Sequence, residues 1–253
     1  MEQVKRWLAW LGKGLAGVGI IASLWLAGQW LGQYVRHAPA FAIKTIHIHG
    51  NKRLNRDEIL RVAGMKLGDN AFAYHGALIE KRLAHHRWIA SVQASRALPD
   101  SYTLHIREHQ PAAVLALDHL YLVSTEGVVF KQLSLEDPID MPVITGVDAA
   151  RFENDRHYRA STLLRVLALF QDYRDAGLWQ REPIAEVHVM EDDELSVYVG
   201  KGVTYVKLGR SPYDTKLKQL KGILDRLNAQ YLQASYVYLD NVRRPDRAVV
   251  KLR

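Results

Sequence analysis

The chain has 253 residues, a formal net charge of +7 and 48% hydrophobic residues, which is ordinary globular composition. It contains no cysteine, so disulfides and cysteine-ligated zinc sites are excluded. The lysines and arginines are interspersed with acidic residues. We therefore expect the positive charge to serve anionic lipid headgroups or an acidic protein partner, and not nucleic acid.

An uncharged segment extends from residue 14 to residue 35. At about 1.5 Å per residue, a helix of that length covers the roughly 30 Å of a bilayer's hydrocarbon core. Basic residues precede the segment, and only Arg36 follows it closely. The positive-inside rule then places residues 1–13 in the cytoplasm as a short stub and the body outside. Because the segment exceeds the apolar core of a signal peptide, we expect an uncleaved anchor, with cleavage near Ala40 as the alternative.

The first folded unit after the span begins with a strand and a helix. Residues 45–49 alternate as a β-strand does, and Gly50 then breaks the pattern. Asn55 and Glu58 have the spacing of a capping box at the start of a helix. Gly64 is a natural stop for that helix.

A second helix and two strands complete this unit. Residues 76–86 fit a helix with Leu78, Ile79 and Leu83 facing inward. Alternating strands are predicted around residues 92–96 and 104–108, with a turn at 98–101 between them. The resulting order is β-α-α-β-β, which predicts a small domain over residues 41–111.

The pattern of residues 112–253 predicts a sheet-rich α+β domain that contains helices and ends in an edge strand. Residues 137–146 contain two prolines and are predicted to form a loop. Amphipathic helices are predicted at 158–175 and 214–227. The predicted strands lie at residues 113–117, 120–123, 128–130, 185–190, 195–199, 203–208, 236–240 and 248–252.

Several motifs, taken in order along the chain, resemble the FtsQ/DivIB family of bacterial cell-division proteins. The opening of the first unit resembles a POTRA domain, and its end is similar to that family's signature. Further motifs resemble the family's second domain, called the β domain. The residues that carry the resemblance are Phe41-x5-His47-x-His49-Gly50-Asn51, Trp88-Ile89-x2-Val92-x3-Arg96-x2-Pro99-Asp100, Leu104-x-Ile106-x-Glu108-x2-Pro111-x-Ala113, Tyr121-Leu122-Val123-Ser124-x2-Gly127-x2-Phe130, Pro142-Val143-Ile144-x-Gly146, Val206-x-Leu208-Gly209 and Tyr236-Val237.

The resemblance implies a scaffold of the division machinery, with no catalytic, metal or cofactor site. Such a protein is a single-pass inner-membrane protein at the division septum, with its N-terminus in the cytoplasm and its body in the periplasm. It binds FtsB-like and FtsL-like bitopic proteins and links early division proteins to the septal peptidoglycan synthase. Its POTRA domain contacts other division proteins, and the last strands of its β domain receive the FtsB segment.

Two positions depart from the family pattern. Ser124 stands where the family usually has aspartate. Asp240 ends a stretch that in the family usually reads Val-Asp-Leu-Arg, and that arginine faces an acidic residue of the partner. Arg243 and Arg244 are candidates to take over its role.

The end of the chain is the candidate partner-binding site. A sheet edge carries unpaired N–H and C=O groups to which a partner peptide adds as a further strand. The final strand is short and β-branched, and basic residues flank it, which suits an acidic partner. The candidate residues are Tyr236, Tyr238, Asp240, Asn241, Arg243, Arg244, Ala248, Val249, Val250 and Lys251.

Other residue clusters have simpler interpretations. His47 and His49 share one face of a strand, but no matching carboxylate or cysteine set accompanies them, so we expect solvent-facing residues and not a metal site. The acidic residues 191–194 and the glycine-rich residues 200–202 lack the spacing of calcium or phosphate loops, so we expect hairpin turns.

Two other classes of function remain as alternatives. One is a POTRA-bearing docking or chaperone-like component of an envelope secretion or assembly system. The other is a membrane-anchored cell-wall enzyme, although the chain contains no Ser-x-x-Lys or Gly-x-Ser-x-Gly motif and offers no evident catalytic set.

Overall fold

The computed structural model describes residues 21–35, 38–137, 140–200, 203–241 and 243–253. It divides into two compact units, with the boundary between Glu108 and His109. Helix α1 is described over residues 21–35. No helix within the described ranges combines the length and apolar character needed to cross a bilayer. The predicted stub, residues 14–20 of the predicted span, and residues 201–202 of a predicted turn lie outside the described residues.

The first unit contains a three-stranded sheet and two helices in the predicted β-α-α-β-β order, which is confirmed. Strand β1 pairs in parallel with β3, and β2 pairs with β3 in antiparallel fashion, so the sheet order is β1-β3-β2. The elements are β1 (Thr45–His49), α2 (Arg56–Ala63), α3 (Gly76–Ala84), β2 (Ile89–Ala97) and β3 (Ser101–Glu108).

Local sequence signals define the two helices of this unit. The Asn55 side chain accepts a hydrogen bond from the Glu58 N–H at 2.8 Å, and Gly64 ends α2 with a φ of 68°, as the capping pattern predicts. In α3, Ile79 and Leu83 are buried, whereas Leu78 is 45% exposed. The inward assignment of Leu78 is therefore wrong, because that residue lies one 100° helical step away from the Ile79 and Leu83 stripe.

The second unit is built on one nine-stranded sheet with the order β12-β11-β10-β9-β8-β7-β4-β5-β6. Most of its strands and both long helices lie within a few residues of their predicted positions. The elements are β4 (Pro111–Ala116), β5 (Leu120–Ser124), β6 (Val129–Gln132), β7 (Val143–Thr145), α4 (Ala149–Asn154), α5 (Arg156–Asp175), β8 (Ile184–Val189), β9 (Leu195–Val199), β10 (Thr204–Gly209), α6 (Asp214–Ala229), β11 (Ala234–Tyr238) and β12 (Val249–Leu252).

The segment predicted as a loop over residues 137–146 contains strand β7, so that prediction is wrong in part. Strand β7 has three residues and pairs in parallel with both β4 and β8. Its central residue Ile144 is completely buried. Three residues are too few to display the alternation that identifies a strand, and Pro142 and Gly146 on either side suggest a loop.

The two faces of this sheet have different surroundings. Helices α5 and α6 contribute side chains to one hydrophobic core together with Val197, Val206 and Val237 of the central strands. Because side chains alternate along a strand, Tyr198, Tyr205 and the residues paired with them on adjacent strands point to the opposite side. We call the side of the sheet opposite α5 and α6 the outer face.

Candidate partner-binding surface

Strand β12 forms one end of the sheet and, among the described strands, pairs with β11 alone. The antiparallel register joins Tyr238 with Val249 and Tyr236 with Lys251. Its other side therefore presents backbone N–H and C=O groups that no described strand pairs. Val249 is 56% exposed and Leu252 is 45% exposed, so a partner strand would meet apolar side chains as well as backbone groups.

Side chains of β12 alternate between the core and the outer face. Val250 packs against the hydrophobic core. Val249 and Lys251 lie on the outer face, beside the tyrosines of β11. The Nζ atom of Lys251 is 5.9 Å from the centre of the Tyr236 ring, a distance at which an ammonium group is attracted to the ring. The core thus holds β12 through alternate residues, while the others face solvent.

The connection between β11 and β12 contains four polar candidate residues, Asp240, Asn241, Arg243 and Arg244. The Asp240 carboxylate forms an ion pair with Lys207 Nζ at 2.8 Å. Its hydrogen bond with this ammonium group raises the pKa of Lys207 above the ordinary lysine value. Asn241 Oδ1 accepts a hydrogen bond from the Arg244 N–H at 3.0 Å. Arg243 and Arg244 are exposed to solvent.

All ten candidate residues lie on β11, on β12 or in the connection between these strands, so the fold brings them into one continuous region. Their environments differ. Ala248 packs against the core, and the Asp240 carboxylate is engaged within the chain. The exposed members are Tyr238, Asn241, Arg243, Arg244, Val249 and Lys251.

Two further tyrosines of the outer face adjoin this region and were missed from the sequence. The Tyr198 and Tyr205 rings are 5.2 Å apart, and Tyr205 is 6.2 Å from Tyr238. Tyr236 and Tyr238 stack at 4.7 Å. The available signal is alternation: Tyr198 lies between Val197 and Val199, and Tyr205 precedes Val206, and these valines face the core. Placing them beside β11 requires the strand order, which the sequence does not give.

Three histidines of the first unit form a stacked surface group. The His47 and His49 ring centres are 6.4 Å apart, and those of His49 and His105 are 5.1 Å apart. Within the described ranges, no group of three or more metal-binding side chains has a geometry that would hold a metal ion.

The acidic segment Glu191–Asp193 forms a short 3-10 turn between β8 and β9, at the position predicted for a hairpin turn. Asp193 pairs with Arg165 at 3.0 Å and Asp192 with Arg210 at 3.7 Å. These carboxylates thus have arginine partners within the chain.

Comparison with known proteins gives matches along most of the sequence. Residues 41–109 match the family model described as POTRA domain, FtsQ-type. Residues 113–241 match the model described as cell division protein FtsQ/DivIB, C-terminal.

Individual relatives are similar over nearly the whole length. Cell division protein FtsQ of Anaeromyxobacter sp. (strain K) is 32% identical, with 94% of this chain and 79% of that protein covered. FtsQ of Myxococcus fulvus is 30% identical, with 93% and 81% covered. FtsQ of Geobacter sp. (strain M21) is 29% identical, with 96% and 88% covered.

Proposed function

The chain belongs to the FtsQ/DivIB family of cell division proteins, and we propose that it acts as a non-enzymatic scaffold that binds FtsB-like and FtsL-like partners by strand addition at β12. In this proposal residues 14–35 span the inner membrane, residues 1–13 form a cytoplasmic stub, and the rest is periplasmic. The POTRA domain, residues 41–111, contacts other division proteins at the septum. The β domain, residues 112–253, links them to septal peptidoglycan synthesis.

The observation that carries this proposal is the position of β12 at the end of the sheet, with exposed apolar residues. A partner segment that pairs with β12 gains main-chain hydrogen bonds, and its alternate side chains provide specificity. Exposed edges normally carry protection against unwanted pairing, such as charged residues. Here Arg247, Lys251 and Arg253 supply that charge, and they favour a partner with acidic residues.

The Asp240 ion pair with Lys207 affects how the partner is recognised. A carboxylate already neutralised by a lysine 2.8 Å away repels an acidic partner less than an isolated carboxylate would. Arg243 and Arg244 are exposed in the same connection. We propose that these two arginines attract the acidic partner residue that other family members meet with arginine at the Asp240 position.

A proline substitution in β12 tests strand addition. Leu252→Pro removes one backbone donor of the open edge, because the adjacent Arg253 N–H donates to the Gln233 carbonyl oxygen within the sheet and successive N–H groups of a strand point to opposite sides. We expect the affinity for the FtsB-like protein of the same bacterium to fall about tenfold, or about 1.4 kcal/mol. Binding of the purified full-length chain is measured by biolayer interferometry, and circular dichroism monitors folding.

The matched control is Gln132→Pro, which places proline at an exposed position of β6, the strand at the opposite end of the sheet. It should leave partner affinity unchanged. Unchanged affinity in a folded Leu252→Pro protein would refute strand addition at β12, and an equal loss in both variants would indicate general destabilisation.

A further inference from the structure

A continuous row of side chains crosses five strands on the outer face. It consists of Glu186, Tyr198, Tyr205, Tyr236 and Lys251, and each residue is the direct cross-strand neighbour of the next. We call it the tyrosine row. With about 4.8 Å between neighbouring strands, its two ends are roughly 19 Å apart.

The middle of the tyrosine row is an aromatic surface. The rings of Tyr198 and Tyr205 are 5.2 Å apart, and Tyr238 extends the group by stacking on Tyr236 at 4.7 Å. Val249 adjoins Tyr238 on the same face. Tyrosine is enriched in protein–protein interfaces because its ring buries a large apolar area while its hydroxyl remains compatible with water.

The two ends of the row carry opposite charges. Glu186 Oε1 accepts a hydrogen bond from the Thr145 hydroxyl at 2.5 Å, and this neutral donor leaves the carboxylate charge in place. At the other end, Lys251 Nζ lies 5.9 Å from the Tyr236 ring centre and forms no ion pair with a carboxylate of the described residues. The order along the row is therefore acid, three tyrosines, base.

This order is self-complementary under a two-fold rotation. An axis parallel to β10, lying between two facing sheets, brings Glu186 opposite Lys251 of a second copy, Tyr198 opposite Tyr236, and Tyr205 opposite itself. An axis along the row would instead place Glu186 against Glu186, which like-charge repulsion disfavours. The charges thus select one of the two simple face-to-face arrangements.

We propose that the outer face is a site of self-association, in which a second copy of this chain docks across the tyrosine row with the two-fold axis along β10. Lys207 lies on the outer face next to this axis, so the Lys207 side chains of the two copies come close together. The ion pair of each Lys207 with Asp240 at 2.8 Å reduces the repulsion between these two cations. The row has five residues, far fewer than the roughly 20–30 per partner of a stable interface. The dimer is therefore weak and forms at high local concentration.

Self-association is separate from strand addition at β12. An added strand extends the sheet in its own plane, whereas the second copy docks on the outer face, perpendicular to that plane. Because Tyr236 and Lys251 belong to both surfaces, self-association is measured without the FtsB-like partner.

Charge reversal at the two ends tests the proposal without altering the tyrosines. Glu186→Lys and Lys251→Glu each replace two attractive contacts of the symmetric dimer by two repulsive ones. Self-association of the purified full-length chain, measured by sedimentation equilibrium, should weaken roughly tenfold in each variant.

Mixing the two variants gives the decisive result. A pair made of one Glu186→Lys chain and one Lys251→Glu chain again has opposite charges at both contacts. Energy transfer between differently labelled chains should therefore show association at the level of the unaltered protein. Circular dichroism establishes that both variants are folded.

The control pair Glu153→Lys and Lys218→Glu reverses charges at exposed positions away from the row and should change neither measurement. The proposal is overturned if the folded row variants self-associate as well as the unaltered chain. It is equally overturned if their mixture associates no better than each variant alone.

Discussion

Two residues that depart from the family pattern have partners within the chain. Ser124 is buried, and its Oγ accepts hydrogen bonds from the N–H groups of Glu126 at 3.3 Å and Val128 at 3.2 Å. A serine hydroxyl can thus satisfy backbone donors of a turn in the way an aspartate carboxylate does. Asp240 pairs with Lys207, so this departure places a carboxylate in an internal ion pair.

The Lys207–Asp240 pair gives a pH-dependent prediction. The pKa of Lys207 is raised above the ordinary value of 10.5 by its hydrogen bond with Asp240. A raised lysine pKa contributes stability that is present below 10.5 and is lost as the pH rises through the folded-state value. Asp240→Asn should therefore lower the free energy of unfolding by up to about 1 kcal/mol at neutral pH.

Urea denaturation at neutral pH and at increasing alkaline pH measures this difference. The gap between the unaltered chain and Asp240→Asn should close as Lys207 loses its proton. A gap that remains constant through this range would mean that the ion pair is not its source.

Two buried tyrosines give a matched comparison. The Tyr213 hydroxyl is buried and has no hydrogen-bond partner among the described residues, and burial raises its pKa to about 12. The Tyr173 hydroxyl donates to the Glu182 carbonyl oxygen at 2.7 Å. An unsatisfied buried hydroxyl is destabilising by about 1–3 kcal/mol, whereas a satisfied one contributes roughly 0.5–1.5 kcal/mol.

Tyr213→Phe should therefore raise the free energy of unfolding by about 1 kcal/mol, and Tyr173→Phe should lower it by a similar amount. Both substitutions remove one hydroxyl from a buried ring, so chemical denaturation compares them directly. Destabilisation by Tyr213→Phe equal to that by Tyr173→Phe would show that the Tyr213 hydroxyl has a partner, such as a buried water.

Among the strands, β7 has a larger structural role than its length suggests. It joins the part of the sheet formed by β4, β5 and β6 to the part formed by β8 to β12. Gly146 ends it with a φ of 74°, and a Cβ there would lie 2.3 Å from the Val189 carbonyl oxygen. This steric requirement gives a physical reason for the glycine in the Pro142-Val143-Ile144-x-Gly146 motif.

Removing the buried side chain of β7 tests its importance. Ile144→Ala should lower the free energy of unfolding by about 2–5 kcal/mol, because the fully buried site would be left with a cavity. Leu120→Ala in β5, where the side chain is 46% exposed, is the control and should cost much less. Equal effects in urea denaturation would contradict the central position of β7.

The strands and helices with clear periodicity could be predicted from the sequence, and those without it could not. The pattern of α6 extends over several turns, and alternation identifies β1, β9 and β10. Strand β7 and helix α4 are too short to display a period. Strand order is not encoded locally, so the ten candidate residues near the chain end could be nominated, whereas Tyr198 and Tyr205 could not be placed beside them.

Across the molecule, the family assignment and the two folded units fit a protein that works by binding. Among the described strands, each sheet ends in strands that pair on one side only, β1 and β2 in the first unit and β12 and β6 in the second. Such edges are attachment points for partner strands unless they are covered or charged. In the second unit, β12 combines an open edge with exposed apolar residues and neighbouring cations.

Hydrogen–deuterium exchange of the full-length chain, with and without the FtsB-like partner, tests strand addition at β12 most directly. Amides that become paired with an added strand exchange more slowly. The account predicts slower exchange within Val249–Leu252 when the partner is bound, and no change in β6. Unchanged exchange in β12, together with slower exchange elsewhere, would contradict it.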